Sequence, residues 1–250
     1  MTVIRSVWIW FATSALILIW LPLLCIVRLL ERDPRKVATA RWFRRLGPVL
    51  AKVNPWRIHV SGVSNIQPGE VYVVVSNHQS LADIPLIAHV RMDTKWLGKA
   101  ELFRIPIIGW MMSMAGDIPV ERGDRRKAAQ ALLQCARCLR DRVSVVFFPE
   151  GTRSRTGEVL PFNDGPFQLA IREQTPVLPI VVEGSGAALP RDGWTFGGTQ
   201  DIYLSVLPPA PSTGFNVKQS AEFRDAIRQQ IVDEVARLRA GHRTATVTPA

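Results

Sequence analysis

The chain alternates between short, continuous apolar runs and longer stretches with helical periodicity. Runs rich in β-branched residues at 71–76, 143–148 and 177–182 are typical of strands buried on both faces, and weaker runs occur at 95–98, 118–120 and 202–206. Apolar residues recur at helical spacing at about 84–90, 101–114, 125–142, 165–173 and 220–239, the last stopping at Gly241 before a frayed tail. This alternation predicts an α/β fold with a largely parallel sheet flanked by helices.

The first part of the chain has a different pattern. Val7 to Val27 is a run of twenty-one residues without a charge. As a helix it would extend about 30 Å, the thickness of the hydrocarbon layer of a bilayer. Tryptophans near both ends of the run suit interfacial anchoring, and Pro22 allows a kink. The pattern therefore predicts an N-terminal membrane helix or helical hairpin. A span, a shallow insertion and a cleaved signal peptide are the alternatives, although the length of the run disfavours the last.

Residues 41–56 predict an amphipathic helix. Their apolar side chains fall within about 140° of arc, and most of their cations fall on another arc. Such a helix can lie on an anionic membrane surface, or it can pack on the domain and leave its cations in solvent. Gly47–Pro48 interrupts the pattern, which also allows two short helices.

The distribution of charge decides what the basic composition means. The 250 residues carry a net charge of +10, with 47% hydrophobic and 21% charged residues, which excludes a disordered chain. Residues 1–57 hold ten Lys and Arg against two acids, a net charge of +8, so that residues 58–250 hold twenty-one against nineteen, only +2. The excess lies beside the apolar run, so it indicates attachment to a membrane rather than binding of nucleic acid.

The same distribution suggests how the chain is organised. We expect a membrane-anchoring segment at 1–57, a catalytic or binding domain at 58–241 and a tail at 242–250. The positive-inside bias places the domain on the cytoplasmic side of the inner membrane. The three cysteines are too few for a disulfide framework, and the isolated Cys135-x-x-Cys138 pair lies inside a predicted helix. We therefore predict no metal site.

His78 is the first candidate for chemistry, because it follows the strand 71–76 directly, where α/β proteins place ligands. Pro85 suits the first turn of a helix and Asp83 suits its N-cap, so residues 77–83 are expected to form a tight loop. In such a loop Asp83 can accept from one ring nitrogen of His78 and leave the other as a general base. A polar turn with a capping aspartate is the alternative.

Other strands are also followed by polar or cationic groups. Glu150, Gly151, Thr152 and Arg153 come directly after the run 143–148, and arginine presents a planar donor fork suited to phosphate. Lys99 and Arg122 follow the weaker runs at 95–98 and 118–120. Because parallel strands end at one edge of a sheet, these groups predict a site for an anionic ligand.

Four blocks carry a resemblance to a known family. Asn77–Asp83, Gly116–Arg122, Phe148–Ser154 and Val177–Ile180, together with Lys99–Gly109, resemble in order and spacing the blocks of the glycerolipid acyltransferases, particularly the bacterial 1-acyl-sn-glycerol-3-phosphate acyltransferases. The resemblance covers about residues 58–210. It implies a membrane-bound transferase that moves an acyl group from a thioester to the hydroxyl of a lysophospholipid, with 1-acylglycerol-3-phosphate as the expected acceptor. The donor would be acyl-CoA or acyl-acyl carrier protein, with no cofactor and no acyl-enzyme.

The resemblance also implies roles for the candidate residues. His78 would take the proton of the lysolipid hydroxyl and Asp83 would orient it. The cations Lys99, Arg122 and Arg153 would hold the phosphate of the acceptor, residues 150–152 would shape its pocket, and residues 176–180 would line the acyl channel.

The chain also departs from the family. Leu81–Ala82 stand where an aromatic residue is common, and Asn163 stands where a lysine is common. The second change leaves another acceptor open, such as a lyso-ornithine lipid. A protein that keeps the fold as a non-catalytic phospholipid-binding module is the alternative of another class.

Overall fold

Strands and helices alternate along the chain in the computed structural model, which describes residues 2–121 and 123–246. The α-helices are α1 (Thr2–Leu30), α2 (Val37–Ala51), α3 (Asp83–Ile87), α4 (Ile108–Ala115), α5 (Arg125–Arg140), α6 (Gly165–Arg172), α7 (Ser185–Ala188) and α8 (Ser220–Thr246). The strands are β1 (Trp56–Ser61), β2 (Val73–Ser76), β3 (Thr94–Lys99), β4 (Ile118–Val120), β5 (Ser144–Phe147), β6 (Val177–Glu183) and β7 (Gln200–Val206). Short 3₁₀ turns occupy Val63–Asn65, Ala100–Arg104 and Val217–Gln219.

The strands form one mixed sheet in the order β1-β7-β6-β2-β5-β3-β4. Within the described residues every pairing is parallel except that of β6 with β7, which confirms the predicted largely parallel α/β fold. The central strand β2 lies between β5 and β6. The carboxyl ends of β2, β3, β4, β5 and β6 therefore meet at one edge, where the candidate residues follow them.

Two apolar layers cover the sheet. On one face, alternate residues of β2, β5 and β6 pack against buried side chains of α5, α6 and α8. On the other face, the intervening residues pack against α3, α7 and Ile9 of α1. The continuous β-branched runs that predicted these three strands follow from this burial on both faces.

Two element boundaries differ from the sequence prediction. The edge strand β1 was assigned in part to the amphipathic helix, which was wrong because α2 ends at Ala51. β1 is mostly exposed, so it lacks the continuous apolar run of a buried strand. The predicted end of the last helix at Gly241 was also wrong, because α8 continues to Thr246. A glycine within a helix costs only about 1 kcal/mol, which does not end it. Residues 247–250 of the predicted tail lie outside the described residues.

The N-terminal apolar run is a single helix, α1, that continues through Pro22 without a hairpin. Its first turns contact the loop before β7, where Arg5 Nη2 donates to the carbonyl of Gly197 at 2.7 Å. Its second half packs on α2 and α4, where Leu24 lies in a cluster with Leu46 and Met111. Its length and composition suffice to cross a membrane, yet both of its ends contact the same domain.

The helix α2 packs against the domain instead of facing away from it. Arg41 pairs with Asp93 at 2.8 Å, and the largely buried Arg44 pairs with the buried side chain of Asp117. The alternative in which this helix packs on the domain is the one observed, but these two cations bind acids of the domain instead of facing only solvent. Gly47 lies inside α2 and does not interrupt it. Because Gly47 has no side chain, α2 can approach α3 closely at this point.

Gly47→Ala should destabilise the protein. The new Cβ would lie 2.7 Å from Cβ of Ala88 and 2.9 Å from the carbonyl oxygen of Pro85, so the two helices must separate. We expect the free energy of unfolding to fall by about 1–3 kcal/mol, although alanine favours a helix by about 1 kcal/mol. Gly241→Ala is the matched control, since its Cβ would meet no described atom within 4 Å, and should be neutral or stabilising. Equal effects in urea unfolding would contradict the packing argument.

Candidate active site

The loop that carries His78 begins where Asn77 ends the central strand. The amide of Asn77 donates to the carbonyl of Val182 at 2.8 Å and accepts from its N–H at 2.9 Å. The side chain thus pairs with β6 in place of the backbone. The backbone of Asn77 therefore need not hydrogen-bond to β6, and the chain can leave the sheet at His78.

Asp83 holds this loop closed. Its Oδ2 accepts from Nδ1 of His78 at 2.7 Å and from the backbone N–H groups of Gln79 at 2.7 Å and Ser80 at 2.9 Å. The side chain is fully buried. An ionised carboxylate has no proton to give, so Nδ1 of His78 carries the proton and Nε2 has a free lone pair.

The predicted role of Asp83 as a helix N-cap was wrong. Asp83 is the first residue of α3, and its neighbour Ala82 stands at the cap without a side-chain hydrogen bond. The carboxylate accepts from the loop before the helix instead of from the first turn of the helix. The helix start that places His78 and Asp83 together was predicted to within one residue.

The imidazole of His78 is held flat against Phe148, with ring centroids 4.0 Å apart and planes 20° apart. Trp96 supports Phe148 edge-on, at 6.0 Å between centroids. The side chain of His78 keeps 13% of its surface exposed, and no described residue hydrogen-bonds to its Nε2. A proton acceptor of fixed orientation therefore faces the sheet edge.

Glu150 fastens the His78 loop to the loop after β5. Its carboxylate accepts from the N–H of His78 at 2.8 Å and from the N–H of Leu160 at 3.3 Å. In return, the N–H of Ser154 donates to the carbonyl of His78 at 2.7 Å. Glu150 is only 8% exposed, and burial raises the pKa of its carboxyl to about 7. The sequence had suggested that Glu150 shapes an acceptor pocket, whereas its direct contacts are with backbone.

Two of the candidate cations, Lys99 and Arg153, end or follow strands on the same side of β2. Lys99 ends β3, about 10 Å from β2 at the usual strand spacing, and pairs with Glu101 at 3.2 Å on the surface. Arg153 makes no side-chain hydrogen bond or ion pair within the described chain, while its carbonyl accepts from Arg191. Arg122 lies outside the described residues.

Residues 151–152 form the turn between Glu150 and Arg153. Gly151 has a positive φ of 68°, which a side chain disfavours. Asn163 stabilises this turn, since its amide donates to the carbonyl of Pro149 at 2.7 Å. Asn163 stands where the family that this sequence resembles commonly has a lysine, and its hydrogen bond to Pro149 gives it a structural role of its own.

Sequence reasoning missed the polar groups at the end of β6. Glu183 accepts from the side chain of Gln79 at 2.8 Å, and Arg239 of α8 donates to Glu183 at 3.0 Å. The signal for Glu183 was its place after the apolar run 177–182, as at the other strands. No local sequence pattern identifies Arg239, because its hydrogen-bond partners lie far from it in the sequence.

Comparisons with known proteins point to one family and one fold. The family model described as Acyltransferase matches residues 57–183, about half of the chain. The crystal structure of the 1-acyl-sn-glycerophosphate (LPA) acyltransferase PlsC from Thermotoga maritima is similar, with a TM-score of 0.83 at 26% identity over 96% of both chains.

Curated relatives carry related names. The 1-acyl-sn-glycerol-3-phosphate acyltransferase of Haemophilus influenzae is 29% identical over 81% of this chain and 84% of its own length. The chloroplast 1-acyl-sn-glycerol-3-phosphate acyltransferase BAT2 of Brassica napus is 35% identical over 62% of this chain, but only 45% of its own length is covered. The chain thus spans about half the length of some of the curated relatives that it matches.

Glu150 should impose a pH dependence on stability. Its pKa is about 7 in the folded protein against 4.5 in the unfolded chain, because burial disfavours the charged form. Between these values the folded state holds a proton that the unfolded state has released, so the free energy of unfolding falls as the pH rises. At about 1.4 kcal/mol per pKa unit, the free energy of unfolding should fall by about 3 kcal/mol over this pH range.

Glu150→Gln removes this titration and tests the argument. The difference in unfolding free energy between wild type and the variant should decrease from pH 4.5 to 7 and then stay constant. Glu70→Gln, at an exposed glutamate, is the control and should follow wild type throughout. A constant difference between wild type and Glu150→Gln in urea unfolding would contradict the assignment.

Proposed function

The chain belongs to the acyltransferase family, and we propose that it transfers a fatty acyl group from a thioester to the free hydroxyl of a lysophospholipid. The preferred acceptor is 1-acylglycerol-3-phosphate, which would give phosphatidic acid. One observation carries the proposal: His78 is bonded through Nδ1 to the buried Asp83 at 2.7 Å and presents a free Nε2 at the sheet edge.

In the proposed step, Nε2 of His78 takes the proton of the lysolipid hydroxyl while the oxygen attacks the thioester carbonyl. A C–O bond forms, and collapse of the tetrahedral intermediate breaks the C–S bond. The proton on His78 then passes to the departing thiolate. Asp83 fixes the tautomer and stabilises the imidazolium that forms between the two transfers. The lipid hydroxyl is itself the nucleophile, so no acyl-enzyme arises.

The turn after Glu150 can stabilise the negative charge of that intermediate. Neither the N–H of Thr152 nor that of Arg153 makes a hydrogen bond within the described residues. The turn is held against His78 by the bond from the N–H of Ser154. We assign these two N–H groups as donors to the oxyanion, since fixed donors in a partly buried site need little reorganisation.

The phosphate of the acceptor would lie against Lys99 and Arg153. The pair of Lys99 with Glu101 is largely exposed, and such surface pairs contribute only about 0–1 kcal/mol, so Lys99 can exchange Glu101 for a phosphate. Arg153 needs no such exchange. Arg122 is assigned to the same group from its place after β4. A lyso-ornithine lipid has no phosphate and would offer these cations only its single carboxylate.

A cavity of about 400 Å³ can receive an acyl chain. It lies between α2, α3 and the sheet, and Val74, Val146, Ile180 and Trp96 are among its lining residues. Trp96 contacts Phe148, which stacks on His78, so two aromatic rings connect the cavity to the imidazole. Ile180 belongs to the run that was expected to line the acyl channel. Acyl-CoA and acyl-acyl carrier protein are both kept as donors.

We propose that α1 attaches the protein to the cytoplasmic leaflet of the inner membrane without crossing it. A span would separate the two ends of α1 by the bilayer, whereas here both ends contact one domain. Much of the helix is exposed and apolar. The large exposed side chains are Val3, Ile4, Val7, Trp8, Trp10, Phe11, Leu18, Ile19, Leu23, Ile26, Leu29 and Leu30. Such a face inserts into the boundary between headgroups and acyl chains.

His78→Ala tests the reaction. It should lower the release of free thiol from acyl-CoA or acyl-acyl carrier protein in the presence of 1-acylglycerol-3-phosphate by at least about 100-fold, since the proton acceptor is lost. Binding to lysolipid vesicles should be nearly unchanged. His59→Ala is the matched control, because His59 also pairs with an aspartate, Asp201 at 2.9 Å, but on the exposed edge strand β1. Normal turnover by His78→Ala would exclude this mechanism.

The same assay separates the alternatives. Turnover with lyso-ornithine lipid and not with 1-acylglycerol-3-phosphate would change the acceptor and keep the reaction. Absence of turnover by wild type with both acceptors and both donors, together with vesicle binding, would favour the non-catalytic phospholipid-binding protein.

Phe11→Glu combined with Ile19→Glu tests attachment through α1. Both side chains are exposed on the helix, and the charges should lower the affinity for anionic vesicles at least about tenfold. Leu133→Glu, at an exposed leucine of α5 on the other face of the sheet, should bind as wild type does. Full sedimentation of the double variant with vesicles would mean that another surface attaches the protein.

A further inference from the structure

We propose that Arg239 of the C-terminal helix α8 is a positioning residue for His78, acting through Glu183 and Gln79. This inference rests on the proposed function, because it concerns the same histidine. Arg239 does not contact His78, and it is linked to the histidine by a chain of hydrogen bonds that begins at the next residue, Gln79.

Hydrogen bonds hold both the backbone and the side chain of Gln79. Its backbone N–H donates to Oδ2 of Asp83 at 2.7 Å, the same oxygen that accepts from the imidazole. Its side-chain amide donates to Oε2 of Glu183 at 2.8 Å and to the carbonyl of Gly157 at 3.3 Å. Any shift of Glu183 or Gly157 is therefore passed to the backbone beside His78.

Arg239 binds both of these acceptors. Its Nε donates to Oε1 of Glu183 at 3.0 Å, and its Nη2 donates to the carbonyl of Gly157 at 2.8 Å. Its Nη1 also reaches Glu158 at 3.1 Å. The planar guanidinium thus joins the end of β6 to the loop at residues 157–158, and only a group with several fixed donors can do this.

A second arginine of α8 holds the same loop further along. Arg228 donates to the carbonyls of Val159 at 2.5 Å and Leu160 at 2.9 Å, and the N–H of Leu160 donates to Glu150. Eleven residues separate the two arginines, which places them only about 20° apart around the helix axis. One face of α8 therefore holds the loop that reaches His78 through Glu150 on one side and Gln79 on the other.

The charge of Glu183 makes Arg239 the sensitive link. The side chain of Glu183 is only 15% exposed, and Arg239 is the cation that pairs with it among the described residues. Without the guanidinium, this largely buried carboxylate would keep, among the described residues, only the neutral amide of Gln79, so it would move toward water. The apolar packing of α8 through Ile231, Val235 and Leu238 would remain. The expected defect is thus in the orientation of His78 and not in folding.

Arg239→Gln tests the proposal in the full-length protein in detergent micelles. We expect kcat to fall about 10-fold to 100-fold, as for lost supporting contacts at other sites, while KM for 1-acylglycerol-3-phosphate stays within about twofold. Arg239→Lys keeps the charge and should recover part of kcat. Arg237→Gln is the matched control, because within the described part of the chain Arg237 pairs only with Glu234 on its own helix, and it is mostly exposed.

A double-mutant cycle tests the route through Gln79. Gln79→Ala alone should also lower kcat, and the loss in Gln79→Ala with Arg239→Gln should be clearly smaller than the product of the two single losses. Independent, multiplicative losses would overturn the proposed route. So would an Arg239→Gln enzyme whose kcat equals that of Arg237→Gln, or one whose loss of kcat is matched by loss of folded protein in thermal unfolding.

Hydrogen exchange separates this proposal from the proposed function. Arg239→Gln should speed amide exchange in peptides covering residues 77–83 and 150–160, and Arg237→Gln should not. If wild type has no turnover with any acceptor but this difference in exchange is seen, the link from α8 to the His78 loop is present and the proposed reaction is wrong. If wild type turns over and the two variants exchange alike, the role of Arg239 is refuted.

Discussion

The site depends on one buried carboxylate, that of Asp83. Three donors converge on its Oδ2, one from the imidazole of His78 and two from the backbone of the loop between the residues. Burying a charge is costly unless it is bonded in this way, so the folded loop and the ionised aspartate require each other. The same contact fixes the tautomer of His78. The geometry of the loop and the tautomer of the histidine are therefore set by a single carboxylate.

Neighbouring strands supply the rest of the support. The strands on both sides of β2 are followed by or end in a glutamate, Glu150 after β5 and Glu183 in β6, and each binds a residue of the loop. Both glutamates are in turn connected to α8, through Leu160 and through Arg239. Parallel strands bring these groups to one edge, whereas the chain order leaves them far apart.

How far apart two contacting residues lie in the sequence explains which contacts could be predicted. The strands β2, β5 and β6 could be predicted from continuous apolar runs, because both of their faces are buried. The contact of His78 with Asp83 could be predicted because the two residues are only five positions apart in the sequence. The edge strand β1 was missed because it is mostly exposed. Glu183 lies 104 residues from Gln79 and 56 from Arg239, so no local pattern marks that link. The pairing of Arg44 with Asp117 was missed for the same reason.

The position of α8 in the chain has a consequence for biosynthesis. Five of its side chains close one apolar face of the central sheet, namely Phe223, Ile227, Ile231, Val235 and Leu238. Because a ribosome makes the chain from its amino end, the apolar α1 emerges long before this face can be covered. The nascent protein can thus reach a lipid surface while its sheet is still open on one side. The hydrogen bonds that Arg228 and Arg239 make to the loop at residues 157–160 form only after α8 has been translated, when α1 has long been made.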